Sequence, residues 1–543
     1  MINNLHIRRL ARKGAVLLLG SALTAPLFPA SPPAAAAAAA PVFKDISGNY
    51  AESAILRLAK LGIVSGTSAD RYSPARSVTR AELATLIART LGLEPVQAAI
   101  PAFRDVARSS AFYPMIQAAV NIGWIGGRSA DRFEPAASVT REEAAVMLLR
   151  ALKRGAPVGG ETVYRDQERI SPWAEASVLE MNRLSLMAGD QGYFRPKAAI
   201  SRAEAAVLLD RIRNRAEWSQ QFEAEPEAPV QMGWQYSSTT EQFKQQASSS
   251  GINTLSPRWL YVGPKGLSSD SSDAKLVQWA HSKGKKVWVM VGNRSRQADT
   301  HALLSQSASR SAAVKQLAAS ISASGADGIN LDFENVAPED RQNMTQFVSE
   351  LAKSLHAFGA VLSVSVSPDT GSDWTEAFDY AALGSAADYI VLMGYDEHWS
   401  GGQNAGAVAS LPWVARGLGK LQAVVPAAKT ILGLPFYTRD WSTAASGIVT
   451  SADLSLPEQN GIAASLGLRP AWSSSLSTYS ASYYIGTVRH QIWLEDSRSL
   501  SAKMSLALQS GAAGFAYWYM GGESPDVWAA QRNAIRYAGY SFS

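Results

Sequence analysis

No cysteine occurs among the 543 residues, which removes thiol nucleophiles, disulfide bridges and cysteine metal sites together. A chain of this length can stabilise its domains through their cores alone. Histidine is scarce, with six scattered copies, and none has the H-x-x-x-H spacing of a helical zinc site. No apolar stretch reaches the ~20 residues that a membrane-crossing helix requires. Blocks of Lys or Arg are missing too, as is any interleaving of basic and aromatic residues, which argues against a nucleic-acid partner. The net charge of +5 is mild and suits an anionic polymer surface.

What is present is globular. With 47% apolar and 18% charged residues the composition is that of a folded chain, and roughly 150 residues per domain predicts three or four domains. Residues 1–40 read as an export signal: Arg8, Arg9, Arg12 and Lys13 precede a short apolar run from Gly14 to Phe28, then alanines from Ala34 to Ala40 offer cleavage sites. After signal removal no integral membrane segment is expected.

An internal repeat follows. Thr79-Arg80-Ala81-Glu82 returns as Thr140-Arg141-Glu142-Glu143 and as Ser201-Arg202-Ala203-Glu204, 61 residues apart each time. Upstream of each lie an aromatic-x-Asp element (Phe43/Asp45, Phe103/Asp105, Tyr164/Asp166) and an aromatic-x-Pro element (Tyr72/Pro74, Phe133/Pro135, Phe194/Pro196). In the first copy Ala51, Ile55, Leu58 and Leu61 recur at helical spacing up to Gly62. A second helix then carries Leu83, Leu86, Ile87 and Leu91 on one face. The Thr/Ser and Glu of each tetrad form a capping box. That leaves Arg80, Arg141 and Arg202 unexplained: they are either ordinary exposed arginines or three equivalent anion-attracting positions at helix N-termini.

These spaced elements resemble three surface-layer homology domains, placed at 41–100, 101–160 and 161–213. The third copy departs most, with Ser201 for Thr and Leu186-Met187-Ala188-Gly189 in its glycine loop. The resemblance implies an all-α module that holds pyruvylated secondary cell-wall polymer without a covalent bond, Arg80, Arg141 and Arg202 pairing with its carboxylates. The polar, acidic stretch 214–229 reads as a linker.

From residue 230 to 543 the pattern changes to short β-branched runs alternating with helical stretches. Eight candidate strands predict an α/β fold, a (β/α)8 TIM barrel with a small insertion between strands 7 and 8. The most informative run is Asp327-Gly328-Ile329-Asn330-Leu331-Asp332-Phe333-Glu334. On a strand, Ile329, Leu331 and Phe333 face outward, while Gly328, Asn330, Asp332 and Glu334 face inward, with Glu334 at the end where barrel active sites lie. Charges inside a barrel are costly unless paired or functional. Asp332 and Glu334 are neighbours on one strand, roughly 6–7 Å apart. Two carboxyls on one side of a sugar cannot be the acid and nucleophile of an ordinary retaining glycosidase. One is therefore expected to act as acid with the nucleophile coming from elsewhere, and a substrate acetamido oxygen can supply it. Like-charge repulsion between the pair is expected to raise the pKa of the acid, Glu334.

This run resembles the D-x-x-D-x-D-x-E signature of family 18 glycoside hydrolases. Asn330 stands where most chitinases have Asp, a variant that resembles the bacterial spore-cortex-lytic N-acetylglucosaminidases of that family. The resemblance implies Glu334, Asp332 and Tyr395 as catalytic residues, and Asn330, Met393, Asp396 and Trp518 as substrate-binding. Tyr395 and Asp396 lie in Met393-Gly394-Tyr395-Asp396; Trp518 lies in Ala516-Tyr517-Trp518. No metal and no organic cofactor are implied. Glycan substrates are expected, either peptidoglycan cleaved at the wall to which the repeats tether the enzyme, or chitin in a groove for which Trp399, Trp413 and Trp441 are the candidate lining. A non-catalytic sugar-binding surface protein is the alternative of a different class. The expected location is outside the cell, held non-covalently on a Gram-positive wall or surface layer.

Overall fold

The computed structural model describes residues 43–155, 163–402 and 404–542. The expected export signal and the boundary between the second and third repeats lie outside them. Among the described residues no helix is long and apolar enough to cross a membrane.

The repeats close into a pseudo-threefold ring. Val78 N donates to the Ile200 carbonyl, Ile200 N to the Val139 carbonyl and Val139 N to the Val78 carbonyl, at 2.9–3.1 Å, so each copy hands one hydrogen bond to another around a central axis. The repeated signature elements now have physical causes. Asp45, Asp105 and Asp166 each accept two backbone N–H bonds at 2.8 Å from the aromatic-x-Pro element of their own copy. Those loops need the help, because Ser73, Glu134 and Arg195 sit at φ near +60°, where non-glycine residues are disfavoured. The aromatics pair across each copy, at 5.6 Å for Phe43/Tyr72, 5.2 Å for Phe103/Phe133 and 5.1 Å for Tyr164/Phe194. Gly127 admits no side chain: a Cβ there would lie 2.4 Å from the Arg132 carbonyl oxygen. Gly189 serves the same purpose in the divergent third copy.

All three tetrads are capping boxes, heading the helices Arg80–Thr90, Arg141–Ala151 and Arg202–Arg213. Leu83, Leu86, Ile87 and Leu91 are buried as expected, but Leu61 is 53% exposed. The preceding helix ends at Lys60 and buries Ala54, Ile55 and Leu58 instead.

The stretch 214–229 differs from the expected linker. Ala216–Glu223 is a helix whose Trp218 and Phe222 are buried, against Tyr540 and Phe542 of the chain's C-terminal tail. Its polar residues face outward and masked the two aromatics that dock it. Further bonds join repeats and barrel: Arg532 to Glu94 at 2.7 Å, Asn533 to the Glu94 backbone at 2.7 and 2.8 Å, and the Tyr540 hydroxyl to the Leu91 carbonyl at 2.7 Å.

The barrel has eight parallel strands closed in a ring: Val230–Trp234, Thr254–Ser256, Lys286–Gly292, Gly328–Asp332, Val361–Val366, Tyr389–Met393, Thr430–Pro435 and Gly514–Trp518. The run expected as one second strand, 252–262, is interrupted around Pro257. Its far half, Leu260–Gly263, pairs with the third strand and with the hairpin strand Gly266–Asp270, because proline cannot donate to a ladder. Between strands 7 and 8 the insertion is a five-stranded antiparallel sheet with one helix, Leu456–Ser465. Asp327, at the bottom of strand 4, accepts from Val287 N and contacts His281 and Lys286, a structural role in keeping with its outward parity.

Candidate active site

Strand 4 alternates as its sequence requires. Ile329, Leu331 and Phe333 are buried under the helices, Phe333 stacking on Phe347 of Arg341–His356 at 5.7 Å. Asn330, Asp332 and Glu334 turn inward. Asn330 is fully buried. Its carbonyl accepts from the Trp234 indole at 2.7 Å, and its amide donates to Ser363 and Ser365 at 3.0 and 3.2 Å. These bonds anchor it beneath Asp332.

Above it lies Asp332. Burial pushes its carboxyl up to about 7 and the charge of Glu334 adds to the rise, while Arg258 and a hydrogen bond from Ser365 oppose it. On Asp332, burial and the neighbouring Glu334 charge act in the same upward direction, as crowding two carboxylates requires. Glu334, at the rim, accepts from the Ser295 hydroxyl at 2.5 Å. Its backbone is clamped by Asn293, whose side chain donates to the Glu334 carbonyl at 2.7 Å and accepts from Glu334 N at 3.1 Å. Asn293 also bonds Ser295 N and Thr300. That network holds Arg294 and Ser295 at φ +55° and +53°, strain maintained next to the reactive group. Neither Asn293 nor Ser295 stands out in the sequence, since they belong to the loop after strand 3 and meet Glu334 only when strands 3 and 4 pair.

Strand 6 delivers Tyr395 and Asp396. Tyr395 is 9% exposed, and burial with the nearby Asp332 charge holds its hydroxyl well above the usual phenol range. It stays a proton donor at any working pH. Gly433 on strand 7 makes room for it: a Cβ there would meet the Tyr395 ring at 3.3 Å. Met393 is buried behind, its carbonyl accepting from Tyr395 N at 2.8 Å. Asp396, at φ +66°, accepts from the Tyr437 hydroxyl at 2.5 Å and from Arg439 at 2.9 Å. Tyr437 and Arg439 begin the insertion and were not singled out in the sequence. On the opposite wall Trp518 is half-buried among Trp234 at 5.9 Å and Tyr236 at 5.3 Å, presenting an aromatic floor. The tryptophans expected to line a groove divide. Trp399 is 57% exposed, but Trp441 is buried and donates to the Gly406 carbonyl, and Trp413 packs on the core.

In the repeats, each arginine crosses to another copy. Arg80 lies over Phe133, Arg141 over Phe194 and Arg202 over Tyr72, 4.3–5.0 Å from the ring centroids. They donate to the carbonyls of Gly126, of Phe194 and Ala188, and of Tyr72 and Ser65 respectively. The arginines therefore close the ring as well as being candidate polymer contacts.

Residues 260–523 match the model for glycosyl hydrolases family 18, and 42–84, 102–145 and 163–206 match the S-layer homology domain. The chain carries a family 18 glycosyl hydrolase domain behind three S-layer homology domains. Among curated relatives, an uncharacterized glycosylase of Bacillus subtilis, YvbX, is 31% identical over 214 residues, covering 38% of this chain and 61% of that protein. The cortical fragment-lytic enzyme of the same organism is 31% identical over 211 residues, covering 37% and 48%. The alignments thus span between about half and three-fifths of these relatives' lengths. A solved chitinase from Chromobacterium violaceum is 25% identical with a TM-score of 0.52, covering 57% of this chain and 99% of that one. The spore cortex-lytic enzyme SleL of Bacillus cereus, at 23% identity and TM-score 0.53, covers 57% and 75% and shares the fold.

Proposed function

We propose that this protein is a wall-anchored β-N-acetylglucosaminidase that cleaves peptidoglycan glycan strands by substrate-assisted catalysis with retention. The observation that carries it is the pairing of Asp332 and Glu334 on one strand while Asp396, the acid delivered by strand 6, is engaged by Tyr437 and Arg439. Asp396 is thereby held from the part of nucleophile across the ring, and the acetamido oxygen of the substrate takes that part.

In this reading the two carboxyls share one proton, which rests on Asp332 and passes to Glu334 when substrate binds; Glu334, oriented by Ser295, gives it to the glycosidic oxygen as the acetamido oxygen bonds to the anomeric carbon and the glycosidic bond breaks. Asp332 accepts a hydrogen bond from the acetamido N–H and balances the positive oxazolinium. Tyr395 donates to the acetamido oxygen, and Trp518 carries the sugar face. Water then attacks the anomeric carbon, Glu334 takes its proton, and configuration is retained.

Peptidoglycan is favoured over chitin by the S-layer homology domains, which would hold the enzyme at high local substrate concentration, and by the relative named as cortical fragment-lytic. The chitinase reading draws on the Chromobacterium neighbour and on the exposed Trp399, but two of its three groove tryptophans are engaged in packing. For the repeats, the threefold arginines are assigned to carboxylates of a pyruvylated wall polymer, and the chain is placed outside the cell.

The test is mass analysis of products from purified peptidoglycan and chitin oligomers with wild type and Glu334→Gln. N-acetylglucosamine reducing ends released from peptidoglycan and lost in the variant are expected. Preferential release of chitobiose from chitin would replace this reading with the chitinase one. The inactive variant also serves to measure sedimentation with wall sacculi, where stripping pyruvyl groups should abolish binding.

A further inference from the structure

Beside the catalytic pair is a cation that the chemistry above does not use. Arg258 follows strand 2, with its guanidinium 5.3 Å from the Tyr236 ring and 5.7 Å from Trp518. It lies close enough to Asp332 to act on that charge. Among the described residues no carboxylate lies within ion-pair distance of it, and its buried Nε has no hydrogen-bond partner. Such an arginine is costly to leave unmatched.

It lines a cavity of about 430 Å³ whose other walls include Gln235, Ser238, Thr239, Tyr261 and Ser271, and no acid lines it. The Ser238 hydroxyl is likewise buried without a partner. Thr239 and Thr240 bring the N-terminal end of the helix Thr240–Ser249 to the same wall, which adds positive potential. Behind one wall, the exposed Arg294 lies over the ring of Tyr261 at 3.8 Å. One half-buried cation, a helix N-terminus and an orphan hydroxyl therefore meet at one cavity with no acid in its lining, next to the sugar floor.

We propose that this cavity is a carboxylate subsite, in which Arg258 binds an acidic group on a sugar ring flanking the one that rests on Trp518. The proposal rests on the glycosidase reading for the presence of that ring and deepens it by naming the substrate class. Chitin has no carboxylate to offer. In peptidoglycan the muramic acid ring does, either on its lactyl ether once the stem peptide has been removed or on the peptide itself. If the lactyl group is the ligand, an amide-hydrolysing reaction must come first, because the intact stem peptide occupies that carboxyl.

Binding separates the possibilities. Glu334→Gln protein and the double variant with Arg258→Gln are titrated calorimetrically with three tetrasaccharides: peptide-free N-acetylglucosamine–N-acetylmuramic acid, the same oligomer carrying dipeptides, and chitotetraose. The peptide-free acid is expected to bind about tenfold tighter than chitotetraose, as a charge-assisted hydrogen bond supplies. Arg258→Gln should erase that preference, and Arg258→Lys should keep part of it. Tight binding of the dipeptide form alone would assign the carboxylate to the peptide, tight binding of both would mean that the subsite takes either carboxylate, and binding of the peptide-free form alone assigns it to the lactyl group. No preference for acid in the Glu334→Gln protein, or a preference that survives Arg258→Gln, would overturn the proposal. Failure of the glycosidase reading registers separately, as wild-type protein that leaves all three oligomers intact.

Discussion

Replacing Asp332 with Asn should make the barrel more stable at neutral pH while stopping catalysis. A free aspartate ionises near 3.8, whereas Asp332 in place does so only at about 7. Below pH 4 the carboxyl is protonated in both folded and unfolded chains, and the substitution changes little. As pH rises from 4 to 7 the unfolded chain loses the proton and the folded one holds it, so the wild type loses stability over that window. Above 7 both forms are ionised and the loss is complete. A shift of this size corresponds to an upper bound of about 4 kcal/mol. Because Glu334 shares the repulsion, we expect about 2–4 kcal/mol. For a domain this large that is roughly 4–10 °C in melting temperature. The assay is thermal unfolding of both proteins from pH 4 to 9. The variant should match wild type at pH 4, gain progressively to pH 7 and hold a constant lead above it. A difference that does not change with pH would refute the account of Asp332 as a buried, reluctant carboxylate. The same variant should lose a hundredfold or more in kcat, the scale typical of removing one electrostatic stabiliser.

Two other perturbations probe what the strands bring together. Ser295→Ala removes the bond that orients Glu334, and kcat should fall about 10- to 100-fold, as a hydrogen bond to a charged group implies. KM should change little, and steady-state kinetics on soluble oligomers showing less than a twofold drop in kcat would dismiss Ser295. Phe542→Ala empties the contact with Trp218 and should cost about 3–5 kcal/mol at that contact. The expected signs are faster proteolysis between 214 and 229 with unchanged kcat on short soluble oligomers; intact resistance would mean that the C-terminal tail does not hold the repeats to the barrel.

Much of this organisation was legible in order along the chain. The capping boxes at Thr79, Thr140 and Ser201 depend on residues three apart, and the inward row on strand 4 depends on a period of two. Both are local, so the residues that make them are read together. The barrel was legible for the same reason: eight short apolar runs, each long enough for one strand. The linker reading failed because the eight-residue helix 216–223 buries only two aromatics, and their partners, Tyr540 and Phe542, lie more than 300 residues away.

Sequence alone therefore determined the three repeats, the barrel and the pair Asp332 and Glu334, since each is set by spacing within a few residues of backbone. Tertiary structure alone decided that the Asp332 carboxyl is buried and raised, that Asn330 is a buried support, that Ser295 meets Glu334, and that Arg258 stands beside Trp518 without a carboxylate partner among the described residues. Burial and electrostatic environment belong to the space between strands, and that space is defined only when residues far apart in the chain are packed against one another.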